Sequence, residues 1–131
     1  MKKNHQRVAG ILATALVGTA AWAGQKTASP VVVNSTSRKA WGSLASARDT
    51  ADNIQNIGCQ VNTPASGPPS VLCFAQGPTS PMVTCYSTNA ALVEAARDIH
   101  GDSYLYFAWD TIGTCTNISV ANASQYAPKA P

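Results

Sequence analysis

Four cysteines, Cys59, Cys73, Cys85 and Cys115, constrain this chain more than any other feature. All four follow a segment that reads as an export signal. Residues 1–7 carry Lys2, Lys3 and Arg7, residues 8–20 form an apolar run, and Ala21-Trp22-Ala23 has the small-x-small pattern of a cleavage site. The apolar run is shorter than the roughly 20 residues that a membrane helix needs. The expectation is a bacterial-style signal peptide over residues 1–23, export to a periplasm or to the medium, and no membrane span once the signal is removed. In an oxidising compartment an even set of cysteines reads as two disulfides. The intervals of 14, 12 and 30 residues lack the paired short spacing of a zinc site.

Charge narrows the function. Beyond residue 23 the basic residues are Lys26, Arg38, Lys39, Arg48, Arg97 and Lys129, and the six acidic residues balance them. A neutral domain lacks the clustered positive charge that nucleic acid or an anionic membrane surface requires. The chain length allows one domain with a modest core.

Residues 24–42 read as a flexible arm, with Val31-Val32-Val33 as a short edge strand, and residues 122–131 as a polar tail. Between them, residues 43–121 form the expected domain. Ser43 to Ile57 reads as a helix capped by Ser43, with Leu44, Ala47, Ala51 and Ile54 on one stripe and Gly58 as the stop. Cys59 to Asn62, Val71 to Gln76 and Met82 to Tyr86 read as a three-stranded meander. The proline-containing stretches 64–70 and 77–81 link its strands. Ser87 to His100 reads as a second helix, with Leu92, Ala95, Ala96 and Ile99 on one face, ended by Gly101. Ser103 to Trp109 and Thr114 to Ala121 read as a hairpin. This order predicts an α+β fold: one five-stranded antiparallel sheet, made of the meander plus the hairpin, with both helices on one face. An all-β sandwich is the alternative, and the two alanine-rich, capped segments weigh against it.

Four cysteines allow three connectivities. Cys73 can face Cys85 across one hairpin, or Cys59 across another, and the spacing does not choose. The reading leans to Cys73–Cys85 with Cys59–Cys115. Strand alternation puts Thr116, Ile118 and Val120 on one face and Cys115 on the other. Cys115 therefore lies at a strand end, or a bulge turns it round.

The residues Ala47-Arg48-Asp49, Ile57-Gly58-Cys59, Cys73-Phe74-Ala75, Cys85, Asp102-Ser103-Tyr104-Leu105, Cys115 and Tyr126-Ala127-Pro128-Lys129 carry a resemblance. The chain loosely resembles a group of small exported bacterial four-cysteine proteins of unknown function. The resemblance implies a single exported domain and brings no catalytic residue with it.

Chemistry-bearing residues are few. His100 is the one histidine after residue 23. With Asp102 or Ser103 it is the weak candidate for a hydrolytic group, although sequence proximity is not triad geometry. The ordinary role for a histidine at that place is at a helix C-terminus, where its cation suits the dipole. Asp98, His100 and Asp102 around one turn lack a fourth metal ligand, so no metal or cofactor is expected. Asp102 and Asp110 would lie about 27 Å apart along an extended strand, well beyond the ~10 Å of a glycosidase pair. No glycine-rich phosphate loop is present. Asn34, Asn117 and Asn122 each begin an Asn-x-Ser/Thr triplet, read here as ordinary polar positions.

The strand Ser103 to Trp109 is the most informative surface candidate. Leu105, Phe107 and Trp109 form its core face, leaving Tyr104 and Tyr106 on the face without helices. Tyrosine offers flat apolar area with a polar tip, suited to proteins or sugars, and Tyr86 and Asn117 can join the patch. The ordinary use of such rings is cross-strand packing. The expectation is an exported, non-catalytic binding or interaction domain whose partner is an envelope or extracellular protein or a glycan. The alternatives are a small secreted hydrolase using His100 and a structural envelope component. The balance leans against an enzyme.

Overall fold

The computed structural model describes residues 24–126. The expected export signal and the last five residues of the tail lie outside the described residues. Seven strands and two helices follow in the order β1 (Val32–Asn34), β2 (Lys39–Ser43), α1 (Leu44–Arg48), β3 (Asn56–Asn62), β4 (Ser70–Gln76), β5 (Val83–Ser87), α2 (Ala90–Arg97), β6 (Tyr104–Trp109) and β7 (Cys115–Ala121).

The strands form two antiparallel sheets rather than the single five-stranded sheet expected. One has the order β1-β2-β6-β7 and the other β3-β4-β5. The meander and the hairpin are both present, but the arm alters how they combine. Its second half supplies β1 and β2, and β2 pairs with β6 along its full length, from Lys39 opposite Ala108 to Ser43 opposite Tyr104. That edge of the hairpin is then occupied, and the meander remains a separate sheet.

A single cluster of buried side chains draws on both sheets. Ile57, Val71, Cys73, Ala75 and Cys85 come from the three-stranded sheet, and Ala40, Leu105, Phe107, Cys115 and Ile118 from the four-stranded one. Neither helix lies on the face of one sheet. Helix α1 touches β2 and β3, and α2 touches β7, β3 and β4, so each bridges the two sheets. Helix α2 inserts Val93 and Ala96 into the shared core.

Helix α1 is far shorter than the Ser43–Ile57 segment expected. Ser43 does cap it, accepting a hydrogen bond from the Ser46 N–H at 3.0 Å. The helix then ends at Arg48. The Thr50 hydroxyl donates to the Ala47 carbonyl, and the Asp52 carboxylate accepts from the N–H groups of Ile54 and Gln55. These side chains offer the backbone a turn in place of a further helical turn. Ala51 and Ile54 consequently lie exposed. Gly58 is not a helix stop but part of β3. A Cβ there would stand 3.2 Å from the Phe74 ring, which covers it from the neighbouring strand.

Asn89 caps α2, and its side chain accepts from the N–H groups of Ala91 and Leu92. Asn89→Ala is expected to lower stability by about 1 kcal/mol. An unchanged urea midpoint would show that this cap carries no weight.

The disulfides join Cys59 to Cys73 and Cys85 to Cys115, not Cys73 to Cys85. Both cross-strand relations seen in the sequence exist at once, since Cys73 faces Cys59 on β3 and Cys85 on β5. Cys115 settles the pairing. The Tyr86 N–H donates to the Gly113 carbonyl at 3.0 Å, bringing the start of β7 against β5. A bulge completes the arrangement. Ala108 pairs with Asn117 but Trp109 pairs with Cys115, which leaves Thr116 as an extra residue. The bulge turns the Cys115 sulfur inward, towards Cys85.

Candidate functional site

The residues singled out in the sequence fall in different places. On β6, Leu105 and Phe107 are fully buried and Tyr104 and Tyr106 are half-buried, as alternation requires. Tyr106 lies opposite Trp41 on one side and Ser119 on the other. Asn117 is exposed on the adjoining strand, opposite Ala108. Tyr104 stacks on Tyr126, with ring centroids 5.3 Å apart and planes 14° from parallel. The Thr27 N–H donates to the Gln125 carbonyl, so the segment carrying Tyr126 is tied down beside the arm. On the outer face of this sheet Tyr104 is thus engaged by Tyr126, and Tyr106 lies in register with Trp41.

The Tyr104 phenol is pushed above the ordinary value of 10.0, first by burial and then by the neighbouring Tyr126 and Tyr106 phenols, whose anions would repel its own. A raised phenol favours the protonated form in the fold. Stability from this group is therefore present at neutral pH and lost as pH rises from the unfolded value through the folded one. Tyrosinate absorbance should show a late-titrating ring that Tyr104→Phe removes. Tyr126→Ala should bring the same transition to lower pH.

Tyr86 does not join this face. It belongs to the three-stranded sheet, pointing outward opposite Leu72 on β4. Tyr86 is 52% exposed and Leu72 38%. The hydrogen bond from Tyr86 to Gly113 places the β6–β7 turn alongside, and that turn carries Ile112, 85% exposed. Asp110 holds the turn, its carboxylate accepting from the N–H groups of Thr114 at 2.9 Å and Ile112 at 3.0 Å. Those two bonds, led by the one from Thr114, hold the carboxyl below the ordinary carboxylate range. Gly113, with φ of 84°, supplies the left-handed residue that closes the turn. Leu72, Tyr86 and Ile112 make an apolar strip that is exposed rather than folded into the core.

His100, Asp102 and Ser103 lie together without forming a hydrolytic group. Ser103 is fully buried. Its hydroxyl accepts from the backbone N–H of His100 at 2.7 Å and donates to the Asn122 side-chain carbonyl. Asn122 in turn donates to the Asp98 carbonyl at 3.2 Å. The serine proton is thus directed to Asn122, and the network ties the end of α2 to the start of β6 and the end of β7. His100 and Asp102 are exposed. Among the described residues, the ligand-type side chains that converge are Cys73, Cys85 and Cys115, with sulfurs within 4.8 Å of one another, and each is bonded in a disulfide.

Two clefts flank α1. One of about 440 Å³ lies between Leu44, Arg48, Asp52, Gln55 and Gly101. The other, about 530 Å³, lies between the arm at Lys26 and Pro30 and the residues Ser46, on the helix, and Thr50, just beyond it. In the first, the Asp52 carboxyl is held below its ordinary range, chiefly by the Gln55 N–H. The same glutamine side chain accepts from the Val31 N–H, so these groups fasten the arm and the loop to each other.

Sequence reasoning missed Leu72 and Ile112. The signal for Ile112 was available: a large aliphatic side chain between Asp110 and Gly113, in a turn that needs none. Comparison with protein-family models, with curated proteins and with solved structures returns no match. No helix among the described residues is long and apolar enough to cross a membrane. The two disulfides are consistent with an oxidising compartment.

Proposed function

We propose that this chain is an exported, non-catalytic binding domain that recognises an envelope or extracellular protein through the outer face of its three-stranded sheet. The observation that carries this reading is the strip of Leu72, Tyr86 and Ile112. Ile112 stands at the tip of a turn held by two hydrogen bonds to Asp110, so its exposure is imposed by an ordered backbone. An exposed apolar patch that includes a tyrosine and an aliphatic residue on rigid elements suits a desolvating protein contact. The neutral charge balance fits a contact driven by apolar area rather than by electrostatic steering.

The test is a pull-down from envelope and culture-medium extracts with three oxidised proteins: the wild-type domain, Tyr86→Ser/Ile112→Ser and Tyr104→Ala/Tyr106→Ala. The expected result is a stoichiometric protein partner retained by the wild type and lost with the first variant. Loss only with the second variant would move the interface to the four-stranded sheet. Absence of a stoichiometric partner in all three would remove the binding reading.

A further inference from the structure

The four sulfurs do not form two independent staples. Cys73 is the cross-strand partner of Cys59, to which it is bonded, and of Cys85, to which it is not. Its sulfur lies within 4.8 Å of those of both Cys85 and Cys115, which form the second bond. Cys73, Cys85 and Cys115 are 0%, 1% and 4% exposed, whereas Cys59 is only half-buried. Cys59 is therefore the least buried residue of the group, and the bond it makes ends beside a second disulfide.

We propose that the chain carries a thiol–disulfide relay. A small external thiolate modifies Cys59, and the break is passed inward until it opens the link between the sheets. In the first step the external thiolate attacks the Cys59 sulfur. A mixed disulfide forms there, the Cys59–Cys73 bond breaks, and its electron pair leaves on Cys73. In the second step the Cys73 thiolate attacks the Cys85 sulfur. A Cys73–Cys85 bond forms, the Cys85–Cys115 bond breaks, and the electron pair leaves on Cys115, which takes a proton from water. Two disulfide bonds are present before and after, so no oxidant is needed and the only co-reactant is the small thiol.

Accessibility and direction follow from exchange chemistry. Attack occurs at the sulfur the nucleophile can reach, and the expelled sulfur is the one bonded to it. Here the expelled sulfur is buried, is shielded from the external thiol, and has a disulfide as its neighbour. Cys85 is the natural target because β4 and β5 already hold Cys73 and Cys85 directly opposite each other, the same relation that Cys59 and Cys73 have. The product retains a disulfide within the three-stranded sheet and loses the one between sheets. The relay is independent of what the Leu72–Tyr86–Ile112 strip binds.

The first experiment treats the folded, oxidised protein with a small molar excess of reduced glutathione. The reaction is quenched in acid, remaining thiols are alkylated under denaturing conditions, and the linked peptides are mapped. The expected products carry glutathione on Cys59, the alkyl label on Cys115, and a Cys73–Cys85 link. The second uses Cys59→Ser, which leaves Cys73 without its partner and requires no added thiol. The relay predicts that the label moves predominantly to Cys115. Label remaining on Cys73 with Cys85–Cys115 intact, in either experiment, overturns the proposal. So does the absence of any Cys59 adduct from a protein in which glutathione has opened the other bond.

Discussion

Phe107→Ala is expected to lower the unfolding free energy by about 3–5 kcal/mol. Phe107 is the largest of the fully buried side chains. It sits at the centre of the four-stranded sheet, opposite Ala40 on β2 and Ile118 on β7. Its ring also leans on Trp109, with centroids 5.7 Å apart. Ala40 cannot spread to fill the void, because it is small and belongs to a strand paired on both sides. The loss thus includes both the transferred apolar area and a cavity that the neighbours fill poorly. Urea unfolding measures it. A loss below 1 kcal/mol would mean that the sheets close over the gap and that the core is looser than its burial implies.

Removing the inter-sheet disulfide is the second large effect. For Cys85→Ala/Cys115→Ala, chain entropy predicts a loss of about 4 kcal/mol, against about 3 for Cys59→Ala/Cys73→Ala. The larger figure follows from the longer separation, 30 residues against 14. Domains of this size hold only about 5–15 kcal/mol in total. The Cys85/Cys115 variant should therefore unfold at markedly lower denaturant, with the other pair removal less severe. The reverse order would show that the bridges act through native packing rather than through the unfolded chain.

The strands that carry alternation were legible in the sequence. β4, β6 and β7 show it directly, and their observed limits lie close to those expected. β2 could not be read the same way. Its inward residues are Ala40 and Gly42, which give no hydrophobic signal. They are small for a reason visible only in three dimensions: a Cβ on Gly42 would stand 3.0 Å from the Val31 backbone. Missing β2 leaves the short edge strand at Val31-Val32-Val33 without a neighbour, and the five strands of the meander and hairpin then suggest one sheet. The first helix was overextended because Ala51 and Ile54 keep helical spacing, whereas pairing of Ile57 with Ala75 commits that stretch to the sheet. The disulfide pairing was illegible because Cys73 faces two cysteines, and only the approach of β7 to β5 decides between them.

The candidate site was legible in part. Tyr86 was named, but for the wrong surface, since the two outer faces belong to different sheets. Tyr104 and Tyr106 do face outward, yet the partner of Tyr104 is Tyr126, far along the chain and invisible to any local pattern. Ser103 looked like a reactive group because it neighbours a histidine. Its burial and its bond to Asn122 make it a structural link instead.

The bulge at Thr116 has a consequence best put as parity. Cys115 and Ile118 are an odd number of positions apart, so a regular strand would point them to opposite sides. Thr116 takes one position out of the count, and both then face the core. Deleting Thr116 would make the spacing even and keep Cys115 inward with no bulge at all. Inserting one further residue beside it would also make the spacing even, so Cys115 would keep its side of the strand but be carried one two-residue step beyond Trp109, its present neighbour, and away from Cys85. The covalent link between the sheets thus depends less on which residue occupies position 116 than on the bulge that takes that residue out of the alternation.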